Sequence, residues 1–328
     1  MTDHLLLFAR DPGATNQILA LMRLMAGDVP DALRKTVVVL SEAVPLPPKI
    51  PIVTMLAKDY ASQRLPAENI PIAEWEELSQ ATIAGRDQIH ALQMRIKDNR
   101  VTHVVTGVSD NDDKTHQKIW RAAHQAGIPC ATLLDDDTSV AERFTDELGN
   151  IVWPDRIYAV SDIARATLTD LGVPATAIYV IANLHIASLI EEISPQQLTE
   201  ARALRAAWGA DGDDRVVLFA SEPIREMCAF GKPANYDEFA CLRQLARSLN
   251  RDSTNSIIVI RPHPRDVPEK YDGLAGAGPP RTIISDQGSS IGAILAADAV
   301  AGMNSMLLNE AEALSRPVIH LNGEEANR

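Results

Sequence analysis

Two polar stretches in the C-terminal half of the chain carry side chains that suit an anionic ligand. The first, Arg261-Pro262-His263-Pro264, directly follows an apolar run at 256–260. An arginine can bind a phosphate through two parallel hydrogen bonds, and a histidine can donate a third. The two prolines fix the backbone and so hold Arg261 and His263 in place. A rigid turn with an exposed histidine accounts for the same residues equally well.

The second stretch begins at Gly302, directly after an apolar run that ends at Val300. It opens a predicted helix, and the free N–H groups of a helix N-terminus favour an anion. Asn304 and Ser305 can cap that helix or donate to a phosphate. Glu310 lies about one and a half turns further on, where it can reach the hydroxyls of a ribose. The alternative is an ordinary capped helix with Glu310 in a solvated position.

Two further polar residues of this half stand where a predicted strand ends or a helix begins. Glu222 follows the apolar run 216–220, and it can be functional at the strand end or part of a turn. Ser289 lies in the polar loop 285–290, where it can contact a ligand or cap the apolar helix that follows. Because ligands bind beyond the carboxyl ends of strands in open α/β sheets, both residues are predicted ligand contacts.

The first half carries its own candidate loop at 10–16, after the first predicted strand. A doubly wound domain places its first ligand loop at this position. The loop is not a G-x-G-x-x-G fingerprint and lacks the lysine of a P-loop, which disfavours NAD and ATP. Asp11 can act as a general base or cap backbone N–H groups. Gly13 and Asn16 are predicted to contact substrate in the same loop.

Three adjacent acids, Asp135, Asp136 and Asp137, follow a later strand of the first half. Like charges in a cleft raise the pKa of one carboxyl group, which suits a general base, and we predict Asp135 or Asp136 in that role. The same acids can bind a divalent cation, cap a helix or form an exposed acidic loop. The acidic stretch 109–113 has the same alternatives, with an exposed loop favoured. His185 is predicted to line a cleft, although a lone histidine is more often structural.

The composition argues against several classes of protein. The 328 residues carry a formal net charge of -13, so the chain is a poor generic nucleic-acid binder, because phosphate contacts need clustered lysine and arginine. The 3 cysteines form no C-x-x-C pair, which argues against zinc, and Cys130 is predicted to lie in the core. No signal peptide and no apolar run of about 18 residues is found, so no transmembrane segment is expected. We predict a cytoplasmic protein with reduced thiols, and leave open a peripheral association with the inner face of the membrane.

Short apolar runs alternate with helix-like stretches along the whole chain. This alternation predicts parallel sheets built from βαβ units, an α/β fold. The predicted strands lie at 5–9, 36–40, 52–56, 101–107, 130–134, 157–160, 178–181, 216–220, 257–260, 282–285, 298–301 and 318–321. We expect two doubly wound Rossmann-like domains that face a cleft. An acceptor-side domain at 1–185 and a nucleotide-binding domain at 211–328 are joined by a linker or hinge helix at 186–210.

The order of motifs across 211–321 resembles the nucleotide-binding half of GT-B glycosyltransferases, an architecture shared with the non-hydrolysing UDP-N-acetylglucosamine 2-epimerases. The first polar stretch resembles the His-Pro motif of bacterial sialyl- and polysialyltransferases and of CDP-glycerol glycerophosphotransferases. The second stretch and the strand after it resemble their serine-containing phosphate loop, acidic helix and following strand. The resemblance implies that His263 and Ser305 contact the phosphates of a nucleotide donor and that Glu310 contacts its ribose.

Two features depart from that pattern. GT-B proteins usually end in a helix that crosses back to the first domain, and this sequence stops at Arg328, soon after its last predicted strand. The glycine-rich loop that often follows the first strand of the second domain is replaced by Ser221-Glu222-Pro223. We therefore expect a GT-B-like architecture in which the C-terminal crossover helix is either missing or cut off at the end of this sequence.

The leading hypothesis is a metal-independent glycosyltransferase of polysaccharide biosynthesis. It moves a sugar from a CMP-, CDP- or UDP-linked donor, a co-substrate rather than a cofactor, to a hydroxyl of a carbohydrate or glycolipid acceptor. The basic side chains of the first stretch stabilise the leaving nucleotide, and Asp11, Asp135 or Asp136 takes the acceptor proton. One alternative is a UDP-sugar epimerase or hydrolase, in which Glu222 becomes important. Another is a non-catalytic nucleotide-binding or scaffold protein, and the oligomeric state is left open.

Overall fold

The computed structural model describes residues 3–27, 52–75, 85–109, 113–191, 193–229, 236–251, 255–276 and 279–322. The chain divides into two compact units, Met1–Glu191 and Glu192–Arg328. The predicted strand at 36–40 and residues 110–112 of the acidic stretch lie outside the described residues. So does the chain after 322, where a crossover helix would have to begin.

The first unit contains a six-stranded parallel sheet with the strand order β2-β1-β3-β4-β5-β6. Its strands are β1 (His4–Ala9), β2 (Ile52–Ala57), β3 (His103–Gly107), β4 (Cys130–Leu133), β5 (Arg156–Ala159) and β6 (Ile178–Val180). Its helices are α1 (Pro12–Met25), α2 (Tyr60–Ala67), α3 (Gly85–Asp98), α4 (Thr115–Ala126), α5 (Val140–Phe144), α6 (Asp162–Asp170) and α7 (Leu184–Glu191). Strands and helices alternate as βαβ units require.

Strand β1 lies inside the sheet, between β2 and β3, and its sequence is apolar at every position after His4. Leu6 and Phe8 belong to one hydrophobic cluster, whereas Leu5 and Leu7 belong to the other. Successive side chains of a strand point to opposite faces, and helices cover both faces of a parallel sheet. Burial on both faces fixes β1 in the sheet and thereby fixes the start of the loop that follows it.

The second unit contains a five-stranded parallel sheet with the strand order β11-β10-β7-β8-β9. Its strands are β7 (Arg215–Ala220), β8 (Ser256–Arg261), β9 (Arg281–Ile284), β10 (Ala299–Gly302) and β11 (Val318–His320). Its helices are α8 (Pro195–Ala207), α9 (Ile224–Ala229), α10 (Glu238–Arg251), α11 (Ser290–Ala296) and α12 (Met306–Ala313). The predicted fold class, two doubly wound α/β domains, is confirmed.

Helix α8 lies within the range 186–210 that was expected to link the domains, and it packs on α11 of the second unit. Ser194 begins it with a capping box. Glu200 of α8 accepts hydrogen bonds from the amide and the hydroxyl of Ser289 at 2.7 Å and 2.6 Å. A Cβ atom on Gly292 would come within 2.6 Å of the Glu200 carboxylate, so the close approach of the two helices requires glycine there.

Each sheet has a topological switch point beside its first strand. In the second unit, the chain runs from β7 outward through β8 and β9 and then places β10 on the other side of β7. In the first unit, β1 is likewise flanked by β2 on one side and β3 on the other. Doubly wound sheets bind ligands at such points, beyond the carboxyl ends of the strands. The loops after β7 and β10, and those after β1 and β3, are therefore where each unit should hold a ligand.

The structure also bears on two compositional predictions. Among the described residues, no helix combines the length and the apolar character that a membrane span requires. The three cysteines are free thiols, and Cys130 is buried, as predicted.

Candidate functional site

Both polar stretches of the C-terminal half reach the same edge of the second sheet. Strand β7 lies between β8 and β10, so the loops that follow these three strands all begin at the carboxyl edge. Arg261 ends β8 in register with Ala220 of β7, and Gly302 ends β10. Glu222 follows the middle strand. The structure therefore brings the predicted ligand contacts of the two stretches, with Glu222 between them, to one edge.

The carboxylate of Glu222 binds the backbone that leads into helix α12. Its Oε1 accepts the amide N–H of Asn304 at 2.6 Å. Burial raises the pKa of the Glu222 carboxyl group, hydrogen bonds from the amides of 303–305 oppose the rise, and the negative charge of Glu238 adds to it. These amide N–H groups thus already donate to a carboxylate, so Glu222 does more than complete a turn.

Helix α12 holds the serine and the glutamate of the second stretch. Ser305 is its N-cap, and its Oγ accepts the amide N–H of Leu307 at 3.3 Å. Glu310 is only 3% exposed, so the alternative that placed it in solvent is wrong. Burying a carboxylate is unfavourable unless its charge is compensated, which sets Glu310 apart from an ordinary surface residue of a capped helix.

The His-Pro loop holds the ring of His263 in a defined tautomer. Its Nδ1 accepts the amide N–H of Arg265 at 3.1 Å, which makes Nε2 the nitrogen that carries the hydrogen in the neutral ring. The amide of His263 donates to Asp266 Oδ2 at 2.8 Å, which fixes the backbone of the loop. The predicted role of His263 as a donor to a phosphate is compatible with this tautomer.

Two other predicted ligand contacts make structural hydrogen bonds. The guanidinium of Arg261 donates to the carbonyl oxygens of Gln287 and Gly288 at 3.0 Å and 2.8 Å, which ties β8 to the loop before α11. The hydroxyl of Ser289 donates to Glu200 and also caps α11. Their contact with a ligand stays a prediction, and both side chains already hold neighbouring elements together.

A charge network that the sequence analysis missed anchors the His-Pro loop. Asp266 Oδ2 accepts the hydroxyl of Ser221 at 2.7 Å in addition to the amide of His263, so it joins the ends of β7 and β8. The buried ammonium group of Lys270 lies 2.6 Å from both Asp266 and Glu238. Burial opposes the charged form, and these carboxylates nevertheless raise the pKa of Lys270 above its usual value.

The three adjacent acids of the first unit lie in two environments. The Nη1 atom of Arg143 contacts Asp135 at 2.8 Å and Asp136 at 3.2 Å. Asp137 instead accepts the hydroxyl of Ser161 at 3.0 Å. The Arg143 side chain is only 7% exposed, so the pairing compensates charge in a largely buried setting. Within the described part of the chain, these carboxylates do not converge on a three-ligand cation site.

Asp135 lies against the first turn of helix α1. A Cβ atom on Gly13 would come within 1.8 Å of Asp135 Oδ2, so only glycine fits at this position. The N-terminus of a helix favours a negative charge, which stabilises the carboxylate there. Asn183 holds the backbone of Asp135 through a hydrogen bond of 2.6 Å to its carbonyl oxygen. The structure thus brings together Gly13 and Asp135, which were predicted from separate loops.

Asn16 and His185 also meet, although they lie far apart in the sequence. The Nδ2 atom of Asn16 is 3.4 Å from Nε2 of His185. The neighbouring Gln17 accepts the amide of Leu184 at 2.9 Å and donates to the carbonyl of Leu134 at 2.8 Å. These bonds join α1 to the start of α7 and the end of β4, so His185 has a fixed place beside the first loop.

A second cluster of charges surrounds Asp11. The Nε atom of Arg10 contacts Asp59 at 2.5 Å and lies 3.7 Å from Asp113, while its Nη1 lies 3.4 Å from Asp11. Lys58 forms an ion pair with Asp113. Burial opposes ionisation, but hydrogen bonds from Lys58 and from the start of α4 lower the pKa of Asp113 to about 2. Asp11 is the N-cap residue of α1, but its side chain makes no capping hydrogen bond, so the alternative in which it caps backbone N–H groups is not confirmed.

The basic residues that hold these acids were not among the predicted site residues. Arg10 and Lys58 directly follow β1 and β2, so their positions at strand ends could have marked them as candidate site residues. Arg143 gave a weaker signal, because the short helix that carries it has no clear periodicity. Its place was decided by tertiary packing: His116 and Gln117 of α4 both donate to its carbonyl oxygen.

No known family profile matches this chain, and no curated protein matches it. Solved structures share its fold. A UDP-GlcNAc 2-epimerase from Methanocaldococcus jannaschii in complex with UDP-GlcNAc and UDP has 14% identity and a TM-score of 0.58, and the match covers 98% of this chain and 85% of that chain. A UDP-GlcNAc 2-epimerase from Neisseria meningitidis bound to UDP-GlcNAc has 14% identity and a TM-score of 0.59, with coverage of 97% and 82%. The UDP-bound MnaA of S. aureus has 13% identity and a TM-score of 0.61, with coverage of 99% and 81%.

These matches confirm the expected architectural relation to UDP-N-acetylglucosamine 2-epimerases. The resemblance to sialyl- and polysialyltransferases and to CDP-glycerol glycerophosphotransferases stays a prediction. At identities of 13% to 14%, the similarity shows the fold and does not extend to the reaction. The chain has the GT-B-like fold of these UDP-GlcNAc 2-epimerases.

Proposed function

We propose that this chain binds a UDP-sugar through its second unit and processes the sugar as an epimerase or hydrolase. The observation that carries the proposal is the anion-binding backbone at the switch point, where the amide of Asn304 donates to Glu222. Amides that bind a carboxylate also suit phosphate oxygens, since both are anionic acceptors. The two similar epimerases are bound to UDP-GlcNAc, one of them also to UDP, and MnaA is bound to UDP, which supports a uridine nucleotide over a cytidine one.

In this proposal the phosphates of the nucleotide bind at the opening of helix α12. The amides after β10 and the hydroxyl of Ser305 donate to them, and Nε2–H of His263 adds a donor from the neighbouring loop. The carboxylate of Glu222 must leave these amides when the phosphates arrive, because two anions cannot share the same donors. Glu310, buried in α12, is the residue proposed to bind the ribose hydroxyls.

The sugar chemistry requires acid–base groups. Epimerisation removes a proton from one face of a carbon and returns one to the other, whereas hydrolysis requires the activation of water. We propose Asp11, Asp135 and Asp136 for these proton transfers, with Arg143 as a positioning residue for the last two. In the second unit, Glu222 offers a further carboxyl group, and burial raises its pKa, as is common for acid–base groups of functional sites.

A glycosyltransferase is the second candidate, favoured by the resemblance of the His-Pro stretch at 261–264 to the motif of sialyl- and polysialyltransferases. It would use the same nucleotide site and the same acids. The two functions differ in what accepts the sugar: a carbohydrate or glycolipid hydroxyl in the transferase, and water or no acceptor in the hydrolase or epimerase.

Incubation of the full chain with UDP-GlcNAc, followed by NMR, tests the proposal. We expect an epimer or free UDP without any added acceptor. Release of UDP only after a carbohydrate acceptor is added would favour the transferase, and no product in either case would overturn both.

Variants of the acids locate the chemistry. We expect Asp135→Asn to lower turnover by at least about a hundredfold while the Kd for UDP stays unchanged. Asp162→Asn is the matched control, because Asp162 pairs with Arg165 on the exposed surface. Equal turnover in the two variants would contradict the assignment of Asp135.

A further inference from the structure

Three side chains with metal-binding atoms converge at the amino edge of the first sheet, opposite the edge that carries Asp11 and Asp135. His124 lies in the last turn of α4, Cys130 is the first residue of β4, and Asp155 directly precedes β5. All strands of this sheet are parallel, so the amino ends of β4 and β5 lie together, away from the candidate site. None of the proposed sugar chemistry uses these residues.

The distances between the three side chains suit a single ion. The Sγ atom of Cys130 lies 3.3 Å from Nε2 of His124, and that nitrogen lies 3.4 Å from Oδ1 of Asp155. A tetrahedral Zn²⁺ with a Zn–S distance of about 2.3 Å and Zn–N and Zn–O distances of about 2.0–2.2 Å holds neighbouring ligand atoms about 3.3–3.6 Å apart. The ligand atoms of all three residues lie within 4.8 Å of one another, so an ion can sit among them once the two exposed side chains adjust.

The arrangement does not suit an activated cysteine nucleophile. In a Cys-His-Asp relay, the thiol and the carboxylate contact opposite nitrogens of the imidazole ring. Here Cys130 Sγ and Asp155 Oδ1 both approach Nε2 of His124. Convergence on one point is the geometry of a cation site.

The exposure of the side chains and their backbone contacts leave the site accessible and orient its ligands. Cys130 is buried, whereas the side chains of His124 and Asp155 are 42% and 50% exposed, so an ion can enter from solvent and keep a water as its fourth ligand. The amide of Cys130 donates to Asp155 Oδ2 at 2.8 Å, which orients the carboxylate and leaves Oδ1 on the side of the histidine. The last turn of α4 adds the negative end of its helix dipole, which favours a cation.

We propose that His124, Cys130 and Asp155 bind one Zn²⁺ ion per chain. A thiolate, an imidazole and a carboxylate are all ligands of this borderline-soft metal. On binding, the Cys130 thiol gives its proton to solvent and its sulfur bonds to the metal. The ion joins α4 to the starts of β4 and β5, so it stabilises the first unit at the edge remote from the acids.

Titration of the chelator-treated full chain with Zn²⁺ tests the site, with Co²⁺ as a spectroscopic probe. We expect one Zn²⁺ per chain by calorimetry, a higher Tm, and a thiolate-to-cobalt charge-transfer band in the Co²⁺ form. His124→Ala and Asp155→Asn change exposed side chains, so both variants should fold, and each should weaken Zn²⁺ binding by at least about tenfold. Cys130→Ala should abolish the charge-transfer band.

Two matched controls complete the test. Cys228→Ala removes a free cysteine of the second unit, and His90→Ala removes an exposed histidine of α3, so neither should change the stoichiometry or the affinity. No Zn²⁺ binding by the native chain would overturn the proposal. So would binding that persists unchanged in His124→Ala and Asp155→Asn.

Discussion

The carboxylates that we propose for the chemistry are held by different means in the two units. In the second unit, the carboxylate of Glu222 rests on the backbone amide of Asn304. In the first unit, Asp135 and Asp136 rest on the guanidinium of Arg143. Backbone amides can bind a different anion once the carboxylate moves, whereas carboxylates paired with a guanidinium are held in fixed positions. The second unit is therefore suited to binding an exchangeable anion, and the first to positioning acids.

Removal of Arg143 is expected to have the largest effect. Arg143→Met leaves Asp135 and Asp136 without their buried cationic partner, and breaking such a pair costs about 3–5 kcal/mol of unfolding free energy. Urea unfolding measures it. In the control Arg165→Met, an exposed pair with Asp162 is lost, and the expected change is within about 0.5 kcal/mol. Similar losses in the two variants would break the comparison between the units.

The same part of the first unit should be sensitive to acid through His116. Burial lowers the pKa of this ring from 6.5 to about 4. Between pH 6.5 and 4 the unfolded chain therefore binds more protons than the folded chain. The free energy of unfolding falls as the pH is lowered through this range. The loss is about 3 kcal/mol.

Urea unfolding of the wild type and His116→Gln across this window checks the prediction. The glutamine retains a donor for the Arg143 carbonyl and does not titrate, so its stability should vary less with pH. An identical pH dependence in both proteins would rule out His116 as the cause.

Gly13→Ala tests the contact between α1 and Asp135. The added methyl group would collide with the carboxylate, and overpacking of this kind costs about 1–3 kcal/mol. The double variant Gly13→Ala/Asp135→Ala should lose less than the sum of the single losses, because the second change removes the obstacle. Gly212→Ala is the control, since a Cβ atom there meets nothing within 4 Å. Additive losses in the double variant would contradict the contact.

Glu222→Gln tests whether the amides of the second unit bind an exchangeable anion. The neutral side chain of the glutamine no longer repels phosphates from the backbone N–H groups of 303–305. UDP-GlcNAc should therefore bind up to about tenfold more tightly, a change of about 1.4 kcal/mol in binding free energy. In the wild type, the affinity should fall as the pH rises through the raised pKa of Glu222, because the ionised form competes with the ligand. Calorimetry at several pH values measures both effects. Weaker binding by the variant would mean that Glu222 contacts the ligand, and would contradict the view that Glu222 occupies the position of the ligand.

The sequence predicts the fold well because strands of a parallel sheet are buried on both faces and therefore have continuous apolar sequences. It also places Ser305 and His263 correctly at strand ends, since local chain order decides which loop follows which strand. The same order cannot show that Gly13 meets Asp135 or that Asn16 meets His185, because these contacts depend on how the helices pack on the sheet.

Charge partners were the least predictable part of both sites. Lys270 and Arg143 lie in segments without a recognised motif, and only the folded chain shows which acids they hold. The His124, Cys130 and Asp155 cluster has no zinc-site spacing, so the cysteine pattern argued against a metal. Side chains that converge from a helix and two strands leave no local signature.

A comparison of two helix-capping serines tests the central claim most directly. Ser305 caps α12 at the proposed phosphate site, whereas Ser194 caps α8 and has no proposed role in that site. Loss of either cap should cost about 1 kcal/mol of stability. Calorimetric titration with UDP should show binding by the wild type and by Ser194→Ala, and about tenfold weaker binding by Ser305→Ala. Equal affinities in the two variants, or no binding of UDP by the wild type, would contradict the account.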